Sequence, residues 1–127
     1  MAPEVALREP YNEKVDVYSF GIMLWQMARD NLPFTGLGKT EFMQEVVRGN
    51  VRPKLDRSWP DGFSNLLTAC WARDPQKRPS FAVILMELNA LMSALTESSS
   101  EAATGAAAIR GRIIKGITKD KINSSWF

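Results

Sequence analysis

The chain contains no histidine. That removes His-based catalytic triads, imidazole general bases and His-ligated metal sites in one step. It contains one cysteine, Cys70, so no internal disulfide can form. This suits a reducing compartment. No apolar run approaches the roughly 18 residues that a membrane-spanning helix requires, so a membrane partner is not expected. The opening residues lack the basic-then-apolar pattern of a secretion signal, which Pro3 and Glu4 interrupt. A cytoplasmic location is the expectation. Asn123-Ser124-Ser125 fits a glycosylation sequon, but it carries little weight without such a signal.

An excess of one charge sign is also missing from most of the chain. Residues 1–96 hold eleven Lys/Arg and eleven Asp/Glu. The formal net charge of +2 comes from the tail, where Arg110, Arg112, Lys115, Lys119 and Lys121 stand against Glu97, Glu101 and Asp120. A balanced body carries no electrostatic footprint for nucleic acid, and no such partner is expected. What is abundant is apolar. Hydrophobic residues make up 45% of the sequence, enough for a core and too much for wholesale disorder. A length of 127 residues allows one domain at most.

Periodicity then divides the chain. Residues 1–14 hold two prolines and no clear period, and read as loop. From Asp16 to about Arg29, Val17, Phe20, Gly21, Leu24, Met27 and Ala28 fall on one helical face, while Tyr18, Ile22 and Trp25 form a second. Apolar residues nearly all round predict a helix buried on all sides. Thr40 to Arg48 reads as a helix with Phe42 and Val46, and less firmly Met43 and Val47, facing inward. Residues 51–62, with Pro53, Pro60 and Gly62, read as irregular chain. Ser64 is a candidate cap for a helix running to about Trp71. Ser80 is a candidate cap for a last helix in which Phe81, Ile84, Leu85, Leu88, Leu91, Met92 and Leu95 keep the i, i+3, i+4 spacing. Thr96 to Ala108 is rich in Ser, Ala and Glu and reads as a disordered linker. The tail from Ile109 to Phe127 brings Ile109, Ile113, Ile114 and Ile117 together if helical, a pattern that suits an anionic membrane surface. Gly111 and Gly116 weaken that helix, and plain disorder is the expectation.

Three blocks stand out in order: Met1-Ala2-Pro3-Glu4-Val5, then Glu13-Lys14-Val15-Asp16-Val17-Tyr18-Ser19-Phe20-Gly21, then Cys70-Trp71-Ala72-Arg73-Asp74-Pro75-Gln76-Lys77-Arg78-Pro79-Ser80-Phe81. In this order and spacing they resemble the end of a protein kinase domain. The first resembles the close of the activation segment, the second the start of the central helix of the large lobe, the third the closing motif. Pro33-Phe34 followed by Gly36 fits the loop after that helix. The resemblance covers residues 1 to about 95. The Tyr in Asp16-Val17-Tyr18-Ser19-Phe20-Gly21 and the Cys70-Trp71 ending look like the tyrosine-kinase-like group, Raf-like and plant-receptor-like, whose members mostly phosphorylate Ser/Thr.

The resemblance implies a mainly α fold of about four main helices, with residues 1–96 as the C-terminal part of a kinase large lobe and 97–127 as linker and tail. It implies that Glu4 pairs with Arg78 as a buried clamp. It implies that Asp16 anchors the backbone of a catalytic loop, although an acid at a helix start is also favoured by the dipole alone. Phe20, Trp25 and Trp71 are expected in the core, and Cys70 as a small buried hydrophobe. The face carrying Thr40, Glu41, Gln44, Glu45 and Arg48 resembles a docking surface for substrates and regulators. An ordinary solvated face is an equal reading of it.

The chemistry of phosphoryl transfer is absent from the sequence. There is no Gly-x-Gly-x-x-Gly, no Asp-Phe-Gly and no His-Arg-Asp. ATP and Mg²⁺ are implied for an intact parent, but no cofactor is expected on this chain. Gly36-Leu37-Gly38-Lys39-Thr40 resembles the end of a P-loop, yet the first glycine of that motif would fall at Pro33, and a helix end stands where a strand is needed. The expectation is a fragment of a longer kinase, begun at a methionine that commonly precedes Ala-Pro-Glu in the family. It needs the missing N-terminal part as a partner, besides protein substrates or regulators. The alternative is a truncated, non-catalytic interaction module. A fragment separated from its neighbours would leave the central helix with a bare apolar patch.

Overall fold

The computed structural model describes residues 1–97 and, beyond them, Gly111. The described chain is helical, with no strand. Helix α1 spans Pro3–Ala6, α2 Lys14–Arg29, α3 Lys39–Glu41, α4 Asp61–Cys70 and α5 Phe81–Glu97. A π-helix, Phe42–Arg48, continues α3, and a 3-10 turn, Pro75–Lys77, precedes α5.

Two boundaries differ from the sequence reading. Residues 1–14 are not all loop, because α1 forms one turn, with Pro3 opening the helix and the Leu7 N–H donating to the Pro3 carbonyl at 3.0 Å. Proline has no N–H to leave unpaired there, and its φ is already helical. A single turn is too short to show a period. Helix α4 begins at Asp61, not at Ser64. The Phe63 and Ser64 N–H groups both donate to the Pro60 carbonyl. Asp61 sits in the first turn, where the helix dipole favours a carboxylate. Ser64 lies inside the helix, its carbonyl accepting from Thr68 Oγ1 at 2.9 Å. Ser80 does cap α5, its Oγ accepting the Val83 N–H at 3.3 Å. That helix runs on through Thr96 and Glu97; the rest of the expected linker and tail lies outside the described residues.

Helix α2 ends where Asp30 takes a left-handed φ of 54° and its N–H bonds to the Gln26 carbonyl. It packs on α4, which packs in turn on α5. Val17, Tyr18, Gly21, Leu24, Trp25 and Ala28 form the buried stripe of α2. They meet Phe63, Leu66, Leu67, Cys70 and Trp71 in the core. The other side of α2 is less covered. Phe20, Ile22 and Met27 are half-buried and Met23 is 48% exposed. The all-round apolar pattern is therefore matched by full cover on one side and partial cover on the other, where Phe20, Ile22 and Met27 pack against the edge of the core. Phe20 leans edge-on against Phe81 with centroids 5.6 Å apart. Of the residues that keep the helical spacing of α5, Phe81 and Leu85 are exposed and Ile84 is buried.

Phe42 and Met43 are half-buried, while the adjacent Val46 and Val47 are both buried. These are the four residues expected to face inward; the wider π-helical turn lets the neighbours Val46 and Val47 both be buried.

The α2–α4 contact is close enough to need a glycine. A Cβ on Gly21 would stand 2.6 Å from Cys70 Cβ. Gly21→Ala should therefore destabilise the fold by about 1–3 kcal/mol of overpacking, less the roughly 1 kcal/mol that alanine returns within a helix. Urea melts of the two chains test this. A midpoint equal to or above that of the parent chain would show that the helices separate without cost.

Candidate functional site

The site begins with local chain geometry at Arg78. Asp74 Oδ1 accepts the Gln76 N–H at 2.9 Å and fixes the 3-10 turn. Pro79 restricts the residue before it to an extended conformation, and Arg78 takes φ −74°, ψ 135°. The side chain is thereby turned into the protein, where it is 2% exposed. Its Nη1 donates to Glu4 Oε1 at 2.6 Å and its Nη2 to Glu4 Oε2 at 3.0 Å. Nε donates to the Ala72 carbonyl at 2.9 Å, and Nη1 also to the Lys14 carbonyl at 3.0 Å. Lys14 Nζ returns a bond to the Arg78 carbonyl at 2.8 Å. Glu4 is 6% exposed on α1.

Tyr18 lies against this fork. Its ring centroid is 5.1 Å from the guanidinium carbon of Arg78 and 5.1 Å from that of Arg52. A desolvated guanidinium near an aromatic ring gains about 2 kcal/mol or more. Arg52 in turn donates from Nε to the Trp71 carbonyl and from Nη1 to the Val46 and Val51 carbonyls. Two helix ends, whose last carbonyls lack partners within the helix, are satisfied by this side chain. The Tyr18 hydroxyl and Arg52 Nη2 are buried without a hydrogen-bond partner among the described residues.

The electrostatics follow from this cage. Burial pushes the Glu4 carboxyl up, but the bonds from Arg78, a backbone N–H and the charges of Arg78 and Arg52 outweigh it, leaving it below its usual 4.5. Burial raises the Tyr18 phenol despite the two arginines, so it stays protonated. Burial pushes the Cys70 thiol up to about 11, so it is no nucleophile at neutral pH.

The other expected site residues are dispersed. Asp16 is exposed in the first turn of α2. Trp25 is buried and donates Nε1–H to the Lys54 carbonyl at 2.9 Å. Trp71 is buried at the end of α4, and Phe20 sits half-buried at the core's edge. Thr40, Glu41, Gln44, Glu45 and Arg48 are all exposed, along α3 and the π-helix. The sequence reading missed Arg52 and the reciprocal bond of Lys14. Arg52 lies in irregular chain, where no period reports which way a side chain turns.

A family model described as protein tyrosine and serine/threonine kinase matches residues 1–88. The chain belongs to the protein kinase family. It is 46% identical over 89 residues to a probable serine/threonine-protein kinase of Dictyostelium discoideum, covering 70% of this chain and 10% of that protein. It is 40% identical over 89 residues to mitogen-activated protein kinase kinase kinase 12 of Rattus norvegicus, with the same coverages. It is 42% identical over 88 residues to a serine/threonine/tyrosine-protein kinase of Arabidopsis thaliana, covering 69% of this chain and 23% of that one. The chain thus spans between a tenth and a quarter of the length of these relatives. Within the kinase family it is of the tyrosine-kinase-like group, and the match falls on the clamp, the central helix and the start of α5.

Breaking the clamp leaves a buried charge unpaired. Arg78→Leu or Glu4→Gln should each cost about 3–5 kcal/mol in urea melts at neutral pH. The Glu4 term also sets a pH dependence. A carboxyl depressed on folding stabilises the fold fully above its unfolded value of 4.5, and that contribution fades as pH falls through the lower folded value. Glu4→Gln should accordingly flatten the loss of stability below pH 4.5. Equal acid sensitivity in both chains would show that Glu4 is not held by Arg78.

Proposed function

We propose that this chain is the closing part of a kinase large lobe, a scaffold that serves ATP-dependent transfer of phosphate to protein Ser/Thr, and with less support Tyr. The clamp supports this reading most directly. Glu4 and Arg78 lie 74 residues apart in sequence and form a complete fork, which ties the segment after Met1 to the closing motif. In the relatives such a scaffold belongs to chains four to ten times longer. The half-covered face of α2 and the exposed Asp16 are where the preceding part of a lobe would rest.

The residues present do not fit ATP or Mg²⁺. No glycine-rich cradle occurs in the sequence. Among the described residues no group of three Cys, Asp or Glu is placed to hold a metal ion. Lys39 follows Gly38 at the start of a helical turn, not after a strand. On this reading the chain contributes support and docking, and phosphoryl transfer is carried by other parts of the parent kinase. A cytoplasmic setting fits this role, and among the described residues no helix is long and apolar enough to cross a membrane.

A second reading, a non-catalytic interaction module, draws on the exposed row Thr40, Glu41, Gln44, Glu45 and Arg48 beside the π-helix. Single π-turns recur at functional positions. The same row serves substrate docking in the first reading.

The two readings part in a chimera. Residues 1–88 exchanged into the Arabidopsis relative should give a folded chain that phosphorylates a protein substrate, while the chain alone neither binds ATP nor transfers phosphate. Glu45→Lys with Arg48→Glu in the chimera should raise KM for the protein substrate and leave kcat unchanged. An inactive but folded chimera favours the interaction module. ATP binding by the chain alone, abolished by Lys39→Ala, overturns both.

A further inference from the structure

Helices α4 and α5 enclose a groove of about 360 Å³ that the kinase reading leaves unused. Its walls include Gly62, Leu66 and Ala69 from α4 and Val83 and Glu87 from α5. Val83 is 44% exposed, and Met86, on the next turn, is 71% exposed. Gly62 lets the two helices approach closely; a Cβ there would stand 2.9 Å from Leu91 Cδ2. The two helices also share a charge sign. They carry Asp61, Glu87 and Glu97 and no Lys or Arg.

We propose that this groove holds the chain's own basic tail, from Ile109 to Lys121. The tail supplies both complements. Ile109, Ile113, Ile114 and Ile117 match the apolar lining, and Arg110, Arg112, Lys115, Lys119 and Lys121 supply partners for Glu87, the carboxylate in that lining. Residues 98–127 hold five basic side chains against Glu101 and Asp120. The connection is long enough. Glu97 stands about 15 Å beyond Glu87 along α5 at 1.5 Å per residue. Residues 98–108 reach roughly 36 Å when extended. Tethering at this length gives an effective concentration on the order of millimolar, so weak apolar and charge contacts suffice. A separate protein would bring no such advantage. An anionic membrane would meet the rest of the surface without a matching charge, since residues 1–96 are balanced.

Hydrogen exchange of the tail in the full 127-residue chain tests the proposal. The amides of residues 109–121 should exchange several-fold slower than in a free peptide of that sequence, and lose this protection in about 0.5 M salt, where screening is strong. Glu87→Lys should remove the protection, as should Arg112→Glu with Lys115→Glu. Combining the two changes should restore it. Cys70 should stay unreactive to thiol reagents throughout, which checks that the body remains folded. Tail exchange at the free-peptide rate, or protection indifferent to both charge reversals, overturns the proposal. So does protection that rises with protein concentration, which means a second copy, or that needs anionic vesicles, which means a membrane.

Discussion

The fork between Arg78 and Glu4 is the constraint on which the other elements hang. A buried ion pair is not in itself a source of stability, since removing two charges from water costs as much as their attraction returns. This one is tolerable because its polar atoms are well paired. Arg78 gives four bonds, two to Glu4 and one each to the Ala72 and Lys14 carbonyls. Those acceptors sit just after α4, on α1 and at the start of α2. One side chain therefore fixes three segments in a geometry that apolar packing would leave free to slide. Its value lies in specification, and the cost of breaking it is the cost of an orphaned charge.

Below the fork the helices are held by contact. Gly21 lets α2 settle on Cys70, and the same closeness explains why Cys70 is buried and chemically quiet. The contact uses half of α2. Its other side keeps Met23 exposed and Phe20 propped against Phe81. A helix with apolar residues all round has two faces to satisfy, and the described residues cover one fully and the other in part. A small self-sufficient bundle needs only one apolar stripe on each helix, so the second face of α2 fits the proposed place in a larger lobe.

The helical fold was legible because four helices run seven residues or more and carry repeating apolar spacing. The clamp was legible for a different reason. Nothing in periodicity joins Glu4 to Arg78; the resemblance of the flanking blocks did. What escaped lies where neither signal operates. The turn at Pro3–Ala6 is shorter than a period. The start of α4 was hidden because Pro60 and Gly62 resemble loop, although proline suits the residue just before a helix. The π-helical form of Phe42–Arg48 was not legible, although its inward residues were. Leu85 kept helical spacing yet is 61% exposed, and Phe81 is covered in part by Phe20, since spacing reports a face and not how far it is covered.

Arg52 is the residue that changes the account of the clamp. It brings a second guanidinium to the Tyr18 ring, so two positive charges share one carboxylate and one neutral phenol. Arg52 keeps its place through bonds to the Trp71, Val46 and Val51 carbonyls, not through an acid of its own. Glu4 therefore balances more than its direct partner. Its loss would leave Arg78 unpaired and at the same time expose two like charges to each other across an aromatic ring. The hydrogen bonds from Arg78 and a backbone N–H, helped by the charges of both arginines, hold this carboxyl below its usual value despite desolvation. Tyr18 spaces the arginines apart and screens each with its π-face, a role a smaller side chain at that position could not fill.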